Sequence, residues 1–198
     1  MSQHQRRVRK SRKNRKLALI TALLIAVAAV AIVAYVMMNS GGANKNTVLL
    51  ITSMGDITIK LRDDMPITTT NFKNLVQQGK YDGTIFNIVM ANFIIQGGQI
   101  NSSWPTIQDE FGSNNHNVRG TIAMAKTTQP NSASTQFFIN VGDNSANFDS
   151  KYGVFGDVIK GMNIVDAISK VPVVTDPVYG GDTKPAQDVV LIKAELLG

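Results

Sequence analysis

The chain has 198 residues, 43% of them hydrophobic and 17% charged, enough for one domain with a sizeable core plus an appendage. It contains no cysteine, which excludes disulfides, thiolate catalysis and cysteine-based metal sites. Its formal net charge of +6 is concentrated in a tail: Arg6, Arg7, Arg9, Lys10, Arg12, Lys13, Arg15 and Lys16 precede residue 17 with no acid among them. That leaves 12 of the 20 Lys and Arg against all 14 acids and a net charge of −2, so the global charge is no argument for nucleic-acid binding.

The basic tail (residues 1–16) runs into Leu17–Met38, 22 residues without a charge. As a helix rising 1.5 Å per residue this run would be about 33 Å long, sufficient for a hydrocarbon core of about 30 Å. Positive charge ahead of the span predicts a single-pass protein of the cell membrane, its N-terminus cytoplasmic and its remaining residues outside. The span makes membrane lipid a partner, with Tyr35 as an interfacial anchor and the tail against anionic headgroups. The alternative is a cleaved signal peptide with a cut near Ser40–Ala43, but its apolar core is usually about 7–15 residues.

Residues 39–46 are polar and glycine-containing and read as a linker, which opens a folded domain over residues 47–198. Val48–Thr52 and Ile57–Leu61 flank a Gly55-containing turn and predict a β-hairpin. Pro66 opens a helix whose apolar face carries Phe72, Leu75 and Val76 and which stops at Gly79. Strand-like runs follow at Thr84–Val89, Phe93–Gln96, Thr121–Ala125, Gln136–Val141 and Val154–Val158, then a helix at Asn163–Lys170 and a last strand at Asp188–Ala194. Many short strands with turn signals and two helices predict a mainly β domain, a closed antiparallel barrel capped by helices. The loops 101–117 and 171–185 are long for structureless connections. His4 and His116 are far apart in sequence and form no cluster with other metal ligands or with a nucleophile.

Two stretches carry the chemical signal: Phe86–Gly98, and Met124–Ile139, which reads MAKTTQPNSASTQFFI. With Gly55-Asp56-Ile57, Tyr81–Phe86, Asp109-Glu110-Phe111, Arg119–Ala125 and Val154-Phe155-Gly156 they resemble, in order and spacing, the cyclophilin family of peptidyl-prolyl cis-trans isomerases over roughly residues 47–197. The resemblance implies an eight-stranded barrel with a helix over each end and an outer groove for Xaa-Pro peptides. It implies a proline pocket of Phe93, Ile94, Phe138 and Phe148 with Tyr152 at its edge. Gln96 and Gln136 would hold substrate carbonyls or a water, and Ala125 and Lys126 would line the wall beside the residue before proline. Phe86, Phe137, Val154 and Phe155 read as core.

The departures from the family pattern are specific. Where the family has Phe-His-Arg-Val-Ile, this chain has Phe86-Asn87-Ile88-Val89-Met90, so Ile88 stands in the place of the catalytic arginine and Asn87 beside it. Asn147 stands where many members have tryptophan, and Gln99 where an acid is frequent. Lys126, in the second motif, reads as a solvated lysine beside a strand end; the alternative is that it swings a cation toward the substrate in place of the arginine. The resemblance implies an isomerase of exported, proline-containing unfolded polypeptides, acting without metal or cofactor and as a monomer; the alternative is a chaperone module that grips Xaa-Pro segments without turnover.

Overall fold

A computed structural model of the protein describes residues 46–197, other than 101 and 179. The basic tail, the apolar run 17–38 and residues 39–45 of the linker lie outside the described residues. Among the described residues no helix is long and apolar enough to cross a membrane.

Strands β1 (Thr47–Thr52) and β2 (Gly55–Leu61) form the expected hairpin, with Thr52 paired to Gly55 across the turn. The Thr52 hydroxyl tightens it by donating to the Gly55 carbonyl at 2.6 Å. Every second residue of β1 is buried, the period of a strand with one face on the core. Helix α1 (Pro66–Gln77) follows, with proline in its first turn, where a missing N–H has no partner to lose. Its N-cap position, Met65, supplies no side-chain acceptor. Glu110, from the long loop, does so instead: its two carboxylate oxygens accept the Ile67 and Thr68 N–H groups at 3.1 and 2.9 Å. A negative charge on those first N–H groups also suits the helix dipole.

The chain continues through β3 (Thr84–Val89), β4 (Ile94–Gly97), β5 (Thr121–Met124), β6 (Phe137–Asn140), the short helix α2 (Ser145–Phe148), β7 (Val154–Lys160), helix α3 (Met162–Ile168), β8 (Val173–Thr175), β9 (Asp182–Pro185) and β10 (Val190–Leu197). Eight strands close a barrel in the order β1-β10-β3-β4-β6-β5-β7-β2, every pair antiparallel. Helix α1 packs on β10 and α3 on β2. Strands β8 and β9 form a separate two-stranded ribbon within the stretch read as a long loop; α2 was also not predicted, being a single turn.

The core is aromatic. Phe72 of α1 lies 5.1 Å from Tyr81, 5.6 Å from Phe137 and 5.0 Å from Phe155, ring centre to ring centre. Tyr81 is fully buried; its hydroxyl donates to the Thr135 carbonyl at 2.8 Å, and burial pushes its pKa well above the usual value. The Gly97-Gly98 pair lies against this cluster. At Gly98, φ is +79°, and a Cβ would fall 2.8 Å from the Tyr81 ring and 2.9 Å from Phe137, so both backbone and space require glycine.

Candidate functional site

Strand alternation sorts β4, β6 and β5 into two faces. Ile95, Phe137, Ile139, Ile122 and Met124 join the main core, while Ile94, Phe138 and Ala123 form a second apolar cluster with Phe93, Ala125, Phe148 and Tyr152 packed on it. Register brings the second set together, because Gln96 and Ala123 both pair with Phe138. The result is a groove of about 380 Å³ on the outer face of the barrel.

The walls are specific. Ile94, Phe138, Phe148 and Tyr152 line the apolar end. Phe148 stands 5.5 Å from Phe138 and 4.9 Å from Tyr152, and Phe138 5.2 Å from Tyr152, in edge-to-face arrangements that fix the rings without filling the space between them. Gln96 and Gln136 face each other across the strand pair, the Gln96 Nε2 donating to Gln136 Oε1 at 3.0 Å. Such a pairing holds both amides upright and leaves the Gln136 NH2 as a donor toward the groove. Ile88, half-buried on β3, closes one side with a branched apolar surface.

The sequence-predicted residues do not all fall in the groove. Ile88, Ile94, Gln96, Ala125, Lys126, Gln136, Phe138, Phe148 and Tyr152 line it. Phe93 stands behind the wall, its ring 5.4 Å from that of Phe148. Asn147 is exposed on α2 and does not line the groove; its neighbour Phe148 points there instead. Asn87 is buried on the far side of β3 and lines a different cleft. Thr127, Ser132, Ser134 and Thr135 also line the groove and were not singled out. The signal was present in the Lys126–Gln136 stretch, whose hydroxyls follow the strand end directly.

Lys126 is not a mobile cation over the groove. Its Nζ lies 2.6 Å from Asp109 Oδ2, with only 14% and 20% of the two side chains exposed. Burial pushes the Asp109 carboxyl up, but the Lys126 hydrogen bond, the Asn131 backbone N–H and the Lys126 charge outweigh it and hold the pKa below the usual carboxylate value.

A polar network supports the aromatic wall from behind. The segment carrying Phe148 and Tyr152 is held by Asn115, whose Nδ2 donates to the Asp149 and Tyr152 carbonyls at 2.6 and 3.2 Å and whose Oδ1 accepts the Val154 N–H at 2.7 Å. Fully buried Asn117 donates to the Tyr152 carbonyl at 3.0 Å and to Asp149 Oδ1 at 3.2 Å. The same Asp149 oxygen accepts the Asn117 backbone N–H at 2.7 Å, and its other oxygen meets His116 Nδ1 at 3.0 Å. Burial pushes the Asp149 carboxyl up; these bonds more than offset it, and its pKa lies below the usual value. Thus the long loop 101–117 is anchored by its last residues to the groove wall.

The groove holds hydroxyls but no histidine or carboxylate beside them, and among the described residues no group of acidic or histidine side chains could hold a metal ion. The groove thus sets an apolar end beside hydrogen-bonding side chains. Residues 47–196 match the family described as cyclophilin type peptidyl-prolyl cis-trans isomerase/CLD. A peptidyl-prolyl cis-trans isomerase of Acinetobacter baylyi is 40% identical over 173 residues, covering 81% of this chain and 90% of that one. One from Streptomyces antibioticus is 43% identical, covering 77% of this chain and 99% of its own, and peptidyl-prolyl cis-trans isomerase B of Escherichia coli is 38% identical, covering 71% and 93%. Among solved structures, a cyclophilin type isomerase of Cryptosporidium parvum, crystallised in the presence of the dipeptide Ala-Pro, superposes with a TM-score of 0.68 at 26% identity, covering 77% of this chain and 99% of that one. The chain therefore belongs to the cyclophilin-type peptidyl-prolyl cis-trans isomerases.

Proposed function

We propose that the groove binds Xaa-Pro segments of unfolded, exported polypeptides and isomerises them by grip and orientation, without the arginine that the family pattern places at position 88. The observation that carries this reading is the apolar enclosure of Ile94, Phe138, Phe148 and Tyr152 directly beside the paired amides of Gln96 and Gln136.

The chemistry follows from the amide. Rotation about an Xaa-Pro bond breaks resonance, with a barrier of about 18–20 kcal/mol, and takes tens to hundreds of seconds unaided. No bond is made or broken, so a catalyst need only bind the twisted amide better than the planar one. The aromatic walls hold the proline ring. The Gln136 NH2 donates to a substrate carbonyl and fixes the chain on one side of the rotating bond. Apolar surroundings favour the twisted amide, whose charge separation is smaller. In the family pattern a further donor is aimed at the prolyl group from position 88, and loss of one preorganised donor costs about 100- to 1000-fold. Ile88 has no donor, and Lys126 is held by Asp109, so the rate is reduced accordingly.

The basic run before Leu17–Met38 supports a placement in the cell membrane with the domain outside. Ile88 equally favours a second reading, an Xaa-Pro-gripping chaperone module without useful turnover. Exchange spectroscopy by NMR on an Ala-Pro peptide, with the full chain in detergent micelles, separates the two. Cis-trans exchange above the uncatalysed rate, raised at least tenfold by Ile88→Arg, is the expected result. Binding without exchange in the unsubstituted chain would leave only the chaperone reading. An Ile88→Arg rate equal to the parent's would mean that position 88 does not face the rotating bond.

A further inference from the structure

Most hydrogen-bond donors that line the groove are already engaged within the fold. Ile88 has no donor, and the Lys126 ammonium is taken by Asp109. At the polar end the Thr127 hydroxyl donates to Ser132 Oγ at 2.9 Å, the Ser132 hydroxyl to the Gln129 carbonyl at 2.6 Å and the Ser134 hydroxyl to the Trp104 carbonyl at 3.1 Å. Gln96 and Gln136 are paired and face the substrate main chain in the reading above. Two hydroxyls are left, those of Thr135 and Tyr152, for which the described residues supply no hydrogen-bond partner. The buried side-chain atoms without a partner among the described residues belong to Asn87 and Thr183, so the Thr135 and Tyr152 hydroxyls both keep accessible surface.

These two differ in place. Thr135 precedes Gln136 at the polar end, whereas Tyr152 stands among the rings of the apolar end, with Phe138 at 5.2 Å and Phe148 at 4.9 Å, centre to centre. The strand order puts β4 between Ile88 on β3 and Phe138 on β6, against which Tyr152 packs. The phenol therefore approaches the apolar end from the wall away from Ile88. Its backbone is fixed as well: the Tyr152 N–H donates to the Phe148 carbonyl at 2.9 Å, and its carbonyl accepts from Asn115 and Asn117 at 3.2 and 3.0 Å. With ring and backbone held, the O–H rotor is the freedom that remains, which is the condition for a preorganised donor.

We infer that the Tyr152 hydroxyl is a catalytic hydrogen-bond donor of this isomerase, acting on the prolyl nitrogen of the bound Xaa-Pro bond where the arginine is missing. In the planar amide the nitrogen lone pair is delocalised into the carbonyl and accepts no hydrogen bond; rotation breaks the resonance and frees it. A donor waiting at that point forms its bond only in the twisted state, and so lowers the barrier without tightening ground-state binding. No covalent bond changes, and the proton stays on the tyrosine oxygen. A neutral phenol can also sit among Ile94, Phe138 and Phe148 without the desolvation cost of an unpaired cation. This role rests on the groove reading above.

Tyr152→Phe deletes the hydroxyl and keeps the ring. Exchange spectroscopy and titration with one Ala-Pro peptide, on the full chain in detergent micelles, read turnover and affinity separately. Exchange at saturation is expected to fall about 5- to 10-fold, the order of one neutral hydrogen bond, with the dissociation constant within about twofold of the parent's. In the Ile88→Arg background the same substitution should cost less than about twofold, because one lone pair is then served by the other donor. Unchanged exchange in Tyr152→Phe would overturn the inference and leave the groove reading intact. That is also the result if the hydroxyl is committed to the cavity of about 20 Å³ that Tyr152 borders beside Lys126 and Asp109. A loss of affinity as large as the loss of exchange would make Tyr152 a ground-state contact only, and an equal loss in both backgrounds would separate it from position 88; either overturns the assignment. Peptide binding with no exchange in the parent would overturn the isomerase reading, and this role with it.

Discussion

The Lys126 ammonium sits 2.6 Å from the Asp109 carboxylate at the rim of the groove, and the pair ties down the cation that, among the described residues lining the groove, could have stood in for a missing arginine. Both side chains are mostly buried, so the pair is a structural clamp between the long loop and the end of β5. Lys126→Ala is expected to leave isomerase turnover within about threefold of the parent. It should lower stability by about 1–3 kcal/mol, since it strands a mostly buried carboxylate. Chemical denaturation and exchange spectroscopy on the same variant check both; a hundredfold loss of turnover would assign Lys126 to catalysis instead.

Asn117 is fully buried and ties the Asp149–Tyr152 segment to the barrel. Asn117→Ala should destabilise by about 1–3 kcal/mol through the partners left unsatisfied. Because Phe148 and Tyr152 then lose their backing, peptide affinity should weaken about 5- to 20-fold, while turnover at saturation changes less. Titration with an Ala-Pro peptide and saturation kinetics separate the two effects.

Glu110 caps α1 from 43 residues away, and its loss leaves two first-turn N–H groups without their acceptor. Glu110→Ala should therefore cost about 1–2 kcal/mol, and Glu110→Gln less, as one acceptor oxygen remains. Urea unfolding midpoints of the two variants give the comparison.

Several carboxylates titrate below the usual range in the fold. Asp166 does so chiefly because Arg119 donates to both its oxygens at 2.7 Å, Asp109 and Asp149 because their hydrogen bonds outweigh burial. The folded pKa is depressed in each case, so the fold favours the ionised form. The stabilisation is complete above the unfolded value of about 3.9 and is lost as pH falls through the lower folded values. The thermal midpoint should be level from about pH 7 to 5 and drop below about pH 4, with a shallower drop in Asp166→Asn. A midpoint falling already between pH 7 and 5 would contradict this assignment.

How much of this was legible beforehand depended on the range of the interaction. Alternating burial along β1 and the apolar face of α1 could be read as periodicity, since each residue's face follows from its own position in the chain. Ile94, Gln96 and Phe138 are named through the family resemblance carried by the motif stretches; that they share one face follows from the pairing of β4 with β6, which the structure supplies. The placement of Asn87 and Asn147 was not legible. A bulge at Asn87 shifts the alternation by one residue, and the single turn of α2 aims Phe148 inward and Asn147 outward.

The sequence by itself determined that residue 88 is an isoleucine, that no cysteine chemistry is available and that the net positive charge lies before residue 17, because these are matters of composition and order. Only the tertiary structure decided that Lys126 is held by Asp109, that Glu110 caps α1 and that Asn87 is left unpaired. Each of these depends on a partner 17 or more residues away, or on the lack of one, and long-range contacts are set by how the closed barrel brings its loops together, not by local preference.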